Sequence, residues 1–200
     1  MKIGITGGIG SGKSYVCKRL EARGIKVYDC DSAAKRLIRT SPQIHEQLTA
    51  LIGTDAYLEK EESGERREER EYILNKAAVA QFLLASEENA KAIDAIVHPA
   101  VFRDFEKSGL LWMESAILYE SGIYRLIDKA IVVTAPDEVR IQRVMQRDGI
   151  PREKVLDWMA RQLPQEEVRQ RADYEIVNDG QKDIDKQLNR IFRKLCNRQF

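Results

Sequence analysis

The chain has 200 residues, 43% of them apolar and 32% charged, which suits one globular domain with a sizeable core and room for small insertions. A net charge of +1 argues against a dedicated nucleic-acid surface, and no apolar run approaches the length of a membrane span. The three cysteines, Cys17, Cys30 and Cys196, show no metal-ligand spacing, and their odd number speaks against a disulfide framework. The first strand starts at once and leaves no room for a signal peptide, so a reduced, cytoplasmic protein is expected.

That strand, Ile3–Thr6, runs straight into Gly7-Gly8-Ile9-Gly10-Ser11-Gly12-Lys13-Ser14, which fits G-x-x-x-x-G-K-[ST], the phosphate-binding loop. Glycines let consecutive backbone N–H groups turn inward on phosphate oxygens, where a Cβ would block the approach. The loop residues Ile9, Gly10, Ser11, Gly12, Lys13 and Ser14 are therefore candidate ATP-binding positions. Lys13 can reach the β- and γ-phosphates, and the Ser14 hydroxyl can ligate Mg²⁺. Residues 15–23 read as a helix whose N-terminal dipole faces the anion.

A second strand over residues 26–30 ends in Asp29-Cys30-Asp31. If the strand persists, both carboxylates point the same way, at the carboxyl edge of the sheet beside the loop. One of them can accept a proton from an attacking hydroxyl, with Asp31 favoured over Asp29, or Asp31 simply caps the helix that follows. Residues 31–108 then read as largely helical, with segments 33–39, 44–52, 73–85 and 87–97. A mixed-charge run over residues 59–71 reads as a solvated loop or helix face. His98-Pro99 falls between two helical patterns, with Pro99 suited to a first helical position. His98 and Arg103 beyond it are candidate contacts for a phosphorylated ligand, although a lone histidine is often structural.

Residues 110–118, 130–135 and 174–178 complete a set of five buried parallel strands separated by helices, the pattern of an α/β layer fold. Glu120 follows the third strand and either supports a metal indirectly or pairs locally. Between the fourth and fifth strands, helices around Gly149-Ile150-Pro151 carry Arg140, Arg143 and Arg147 on one face. Planar, always-charged donors suit the oxygens of a transferring phosphoryl group, with Arg143 or Arg147 favoured and Arg161 able to join. Asn178-Asp179-Gly180 reads as an adenine-side loop or as a plain turn. A GTP-binding switch would carry Asp-x-x-Gly and Asn-Lys-x-Asp; neither occurs, and Asn75-Lys76-Ala77-Ala78 lacks the aspartate.

Taken together these segments resemble the dephospho-coenzyme A kinase family. The resemblance rests on the loop from Ile5 to Ser14, on Asp29-Cys30-Asp31, on His98-Pro99-Ala100-Val101 and on Ile117-Leu118-Tyr119-Glu120. It continues through Gln142-Arg143, Gln146-Arg147-Asp148, Gln162-Leu163-Pro164, Ala172-Asp173-Tyr174 and Asn178, in that order over nearly the whole chain. Cys30 stands where the family commonly has alanine, Ala116 where it often has proline, and Leu74-Asn75-Lys76 where Leu-Asp-Arg is usual.

The resemblance implies an α/β P-loop nucleoside triphosphate hydrolase fold with a five-stranded parallel sheet flanked by helices. One domain is expected over residues 1–200, with a core near 1–31, 109–135 and 173–200. A helical acceptor-binding insertion would cover about 32–108 and a helical lid about 136–172. It implies ATP- and Mg²⁺-dependent phosphorylation of the 3′-hydroxyl of dephospho-coenzyme A, the last step of coenzyme A synthesis, with a small-molecule substrate and neither nucleic acid nor membrane as partner. Asp31 would be the base, Lys13, Arg143 and Arg147 would act on the transferring group, and His98 and Arg103 would face the acceptor.

Overall fold

The computed structural model describes residues 1–58 and 72–196. The charged run at 59–71 lies outside the described residues. Contacts divide the chain into two compact units, residues 1–29 with 110–200, and residues 30–109.

In the first unit, β1 (Ile3–Thr6) is buried along its whole length and feeds the phosphate loop and α1 (Lys13–Glu21). After β2 (Val27–Asp29) the chain enters the second unit without a connecting loop, because α2 (Cys30–Thr40) starts at the next residue. The strand predicted to extend past Asp29 therefore stops there. Cys30 and Ala33 are buried three residues apart, a helical spacing, and Asp31 lies in the first turn of α2 rather than on a strand. A carboxylate in that turn is favoured by the helix dipole.

The second unit continues with α3 (Pro42–Ile52), β3 (Tyr57–Leu58), β4 (Ile73–Leu74), α4 (Lys76–Ala85) and α5 (Glu87–Ser108). Side chains cap three of these helices, since Ser41, Asn75 and Ser86 each accept the backbone N–H three residues on, at 3.2–3.3 Å. Asn75 explains why the helix predicted from residue 73 begins at Lys76, and Ile73 and Leu74 instead pair antiparallel with Leu58 and Tyr57. The predicted break at His98-Pro99 is also absent. Pro99 lies inside the 22-residue α5, where buried Val97, Val101 and Phe105 keep one helical phase across it and offset the lost N–H. Ile44, Leu48, Ala56 and Tyr57 form the unit's core, and burial pushes the Tyr57 phenol up to about 12.

Back in the first unit come β5 (Trp112–Glu114), β6 (Lys129–Thr134), α6 (Asp137–Asp148), α7 (Arg152–Ala160), α8 (Gln165–Arg171), β7 (Tyr174–Val177) and α9 (Ile184–Cys196). The five strands of this unit form one parallel sheet in the order β2-β5-β1-β6-β7, so the loop after central β1 opens at the sheet's carboxyl edge. The predicted third strand, 110–118, is shorter than expected, because residues 116–120 turn away after Glu114. No helix among the described residues is long and apolar enough to cross a membrane.

Ile3, Ile5, Ile131, Val133 and Ile176 face a layer made by Val16, Cys17 and Leu20 of α1 and Ile184, Leu188, Ile191 and Leu195 of α9. The α9 residues recur at i, i+4, i+7 and i+11, a stripe that buries one face of the helix against the sheet. Leu188 is fully buried there. Leu188→Ala should lower unfolding free energy by about 2–5 kcal/mol in a denaturant titration followed by circular dichroism; a loss below about 1 kcal/mol would show that this stripe does not hold the unit together.

Candidate active site

The phosphate loop joins Thr6 at the end of β1 to Lys13 at the start of α1. Gly12 occupies the cap position at φ 90° and ψ 30°, and no side chain caps the helix. Its first-turn amides are left for an anion. Gly10, at φ 76°, lies against the Arg140 backbone, where a Cβ would sit 2.5 Å from the carbonyl oxygen. Both positions therefore require glycine, for conformation and for space. The amides of Gly10, Gly12, Lys13 and Ser14 donate to no group among the described residues. Ser11 Oγ is buried and unpartnered among them as well.

An N–H that turns inward sends neighbouring carbonyls outward, and these are met by donors from distant sequence. Arg140 Nε donates to Ile9 O at 3.0 Å, and Asn178 Nδ2 donates to Ser11 O at 2.8 Å. Arg143 Nη1 lies 3.4 Å from Gly10 O and 3.5 Å from Ser11 O. Ile9 N–H donates to Gln162 Oε1 at 2.8 Å, so this amide, a candidate phosphate contact from sequence, is already engaged.

The three arginines of α6 therefore separate by role. Arg140 is 4% exposed, braced by Asp137 at 3.0 Å, and burial depresses its guanidinium pKa while Asp137 partly restores it. Arg143 is half-buried at the loop. Arg147 is exposed and forks onto Asp148 at 2.8 and 2.7 Å. Arg161 is exposed just beyond α7. Glu120 accepts the N–H of Leu163, 43 residues away, at 3.2 Å, a tertiary partner and not the local one the sequence offered.

Lys13 Nζ meets Glu114 Oε1 at 3.2 Å, and each side chain is 12% exposed. Glu114 ends β5 in register with both Ile5 of β1 and Asp29 of β2. Sequence reading passed over it, although it is the one acidic residue inside the apolar run 110–118. A carboxylate there can hold the loop lysine, or bind a metal's water once the lysine turns to phosphate. One turn along α1, burial first and Glu114 second push the Cys17 thiol up to about 12, against a smaller lowering by Lys13.

A cleft of about 700 Å³ opens beside the loop, lined by Gly12, Tyr15, Arg19, Arg143, Asn178 and residues 180–185. Its rim is stiff. Asp179 Oδ1 accepts the amides of Gln181 and Lys182 at 2.9 and 2.8 Å, and these bonds hold its pKa below the usual carboxylate value. Arg19 bonds the Tyr15 hydroxyl and Asp185, joining α1 to the start of α9.

In the second unit, Asp31 is exposed on α2. His98 on α5 lies 3.4 Å from Asp94 and stacks along Phe102. Arg103 is exposed on the same helix, with no partner among the described residues. Five residues separate it from His98, roughly 140° around an α-helix, so the two do not share a face.

Residues 1–183 match a family model described as dephospho-CoA kinase. A dephospho-CoA kinase of Bacteroides fragilis is 37% identical over 195 residues, covering 94% of this chain and 89% of the relative. Among solved structures, TT1252 from Thermus thermophilus superposes with a TM-score of 0.76 at 32% identity, covering 100% of this chain and 98% of the other. Dephospho-CoA kinase from Campylobacter jejuni gives 0.65 at 20% identity with full coverage of both chains, a likeness of fold.

The site's thiol offers a direct check of its burial. With a pKa near 12, Cys17 is ionised to roughly one part in ten thousand at pH 8, whereas Cys196 is exposed. Iodoacetamide at that pH should modify Cys196 of the folded protein and spare Cys17, read by peptide mass spectrometry; equal rates at the two would contradict the packing of α1 on the sheet.

Proposed function

We propose that this chain, which belongs to the dephospho-CoA kinase family, transfers the terminal phosphoryl group of ATP to the 3′-hydroxyl of dephospho-coenzyme A, giving coenzyme A and ADP. Phosphorylation of dephospho-coenzyme A in coenzyme A synthesis is the family's reaction, and it makes the chain a phosphotransferase. The observation that carries the donor half is the loop itself, whose amides at Gly10, Gly12, Lys13 and Ser14 have no acceptor among the described residues, with the 700 Å³ cleft reaching the loop at Gly12. A cytoplasmic setting belongs to the same proposal, supported by the odd cysteine count.

The backbone amides of Gly10, Gly12, Lys13 and Ser14 bind the phosphates, and Lys13 exchanges Glu114 for the β- and γ-oxygens. Ser14, exposed at the head of α1, and the Glu114 carboxylate are hard oxygen donors that fit Mg²⁺. Among the described residues no cluster of three His, Cys, Asp or Glu could hold a metal alone, which fits an ion ligated largely by phosphate and water. When bound, Mg²⁺ supplies charge neutralisation on the β- and γ-oxygens. Asp31 takes the proton of the 3′-hydroxyl as its oxygen bonds to the γ-phosphorus and the bond to the β–γ bridging oxygen breaks. Asp29 at the end of β2 supports this step. Arg143, and Arg147 once released from Asp148, neutralise the transferring group, and Asn178 keeps the loop at the nucleoside side. On the acceptor side, His98 and, on a different face of α5, the Arg103 guanidinium, unpaired among the described residues, offer donors to separate phosphate groups of the substrate.

Incubated with ATP and Mg²⁺, the protein should convert dephospho-coenzyme A to a product heavier by one phosphate; brisk turnover of a nucleoside monophosphate with none of dephospho-coenzyme A would sink the assignment. Asp31→Asn should lower kcat by ~10²–10⁴ with ATP affinity retained. A near-normal rate would remove Asp31 as the base.

A further inference from the structure

Ile9, at the tip of the phosphate loop, is held at three points by the segment that follows β6. Its N–H donates to Gln162 Oε1 at 2.8 Å, and its carbonyl accepts from Arg140 Nε at 3.0 Å. Its side chain packs with Ile141, Val144 and Val155. Gln162 is itself fixed from both directions. Its own amide donates to Met159 O at 3.2 Å, and the next amide, that of Leu163, donates to Glu120 Oε1 at 3.2 Å. Ile9 and Gln162 are 153 residues apart, so this is tertiary placement and not turn chemistry.

We propose that Gln162 is a positioning residue for the phosphoryl donor, capturing Ile9 N–H so that the loop holds its phosphate-ready curl before nucleotide arrives. The inference rests on the donor assignment above and deepens it. Ile9 lies between Gly8 and Gly10, the residues with the widest backbone freedom, so local sterics do not fix its peptide planes. With Gln162 and Arg140 engaged, both peptide groups of Ile9 are pinned, and the amides that follow keep their direction. Without the glutamine oxygen the part-buried Ile9 N–H either stays unpaired or rotates, and nucleotide has to order the loop as it binds. The segment after β6 is then a scaffold for the loop and not solely a cover over it. Gln162 is the better probe of the two, because the Arg140 side chain is itself buried and its removal would leave a cavity beneath the loop.

Gln162→Met keeps the side-chain length without the acceptor, and Gln162→Glu keeps an oxygen at the same reach. Hydrogen exchange at Ile9 N–H is read by NMR, together with Kd for a non-hydrolysable ATP analogue and for dephospho-coenzyme A. Gln162→Met should speed Ile9 exchange by tenfold or more and weaken the ATP analogue about tenfold, with dephospho-coenzyme A within twofold; Gln162→Glu should restore the protection of Ile9. Unchanged exchange in Gln162→Met, exchange that quickens with no change in analogue affinity, or both ligands weakening together would overturn the proposal. If Gln162→Met does not fold, Gln162→Asn withdraws the same oxygen by one methylene and is judged by the same criteria. A wild-type protein that protects Ile9 yet binds no ATP would refute the donor assignment and leave the clamp standing.

Discussion

A backbone loop that turns its N–H groups inward must turn its carbonyls outward, and that single constraint organises the first unit. The outward carbonyls of Ile9, Gly10 and Ser11 are packed beneath other elements, where an unmet acceptor is costly. Arg140, Arg143 and Asn178 meet them. A guanidinium that is 4% exposed is costly in a protein interior unless its charge is paired. It donates to a loop carbonyl through Nε and to Asp137 through Nη1, so its charge is both paired and used.

The same constraint explains the glycines. Gly10 has to approach the Arg140 backbone and Gly12 has to open α1 in the left-handed region, so one surface is shaped from both sides. Parallel strand order does the rest. Because β5 and β2 lie on one side of β1 in matching register, Glu114 arrives at the carboxyl edge where Lys13 leaves the loop. The apolar layer of α1 and α9 under the sheet supplies the rigidity, and the polar edge above it supplies the chemistry.

The helical unit of residues 30–109 follows a different logic, in which local rules yield to tertiary packing and strand pairing. Pro99 has every local reason to begin a helix, yet α5 runs through it because Val97, Val101 and Phe105 gain more from a continuous buried stripe than one missing N–H costs. At Ile73 and Leu74 an apolar helical pattern yields to pairing with Tyr57 and Leu58, and the Asn75 side chain starts the helix afterwards.

By itself the sequence determined the loop, the five strands of the parallel sheet, the largely helical character of the intervals between them, and the family to which the chain belongs. Those features are written in local spacing: glycine placement, apolar runs, arginines three and four residues apart. Sequence left undecided which arginine of the α6 row is buried, because residues 140, 143 and 147 are equivalent until the helix is set against the loop. It passed over Glu114, whose meaning depends on which strand lies beside which. It also placed Ile9 N–H among the phosphate contacts, when a glutamine 153 residues away already holds it. Tertiary structure decided these points because each concerns the partner of a buried polar group, and such partners come from distant chain positions that local spacing does not encode.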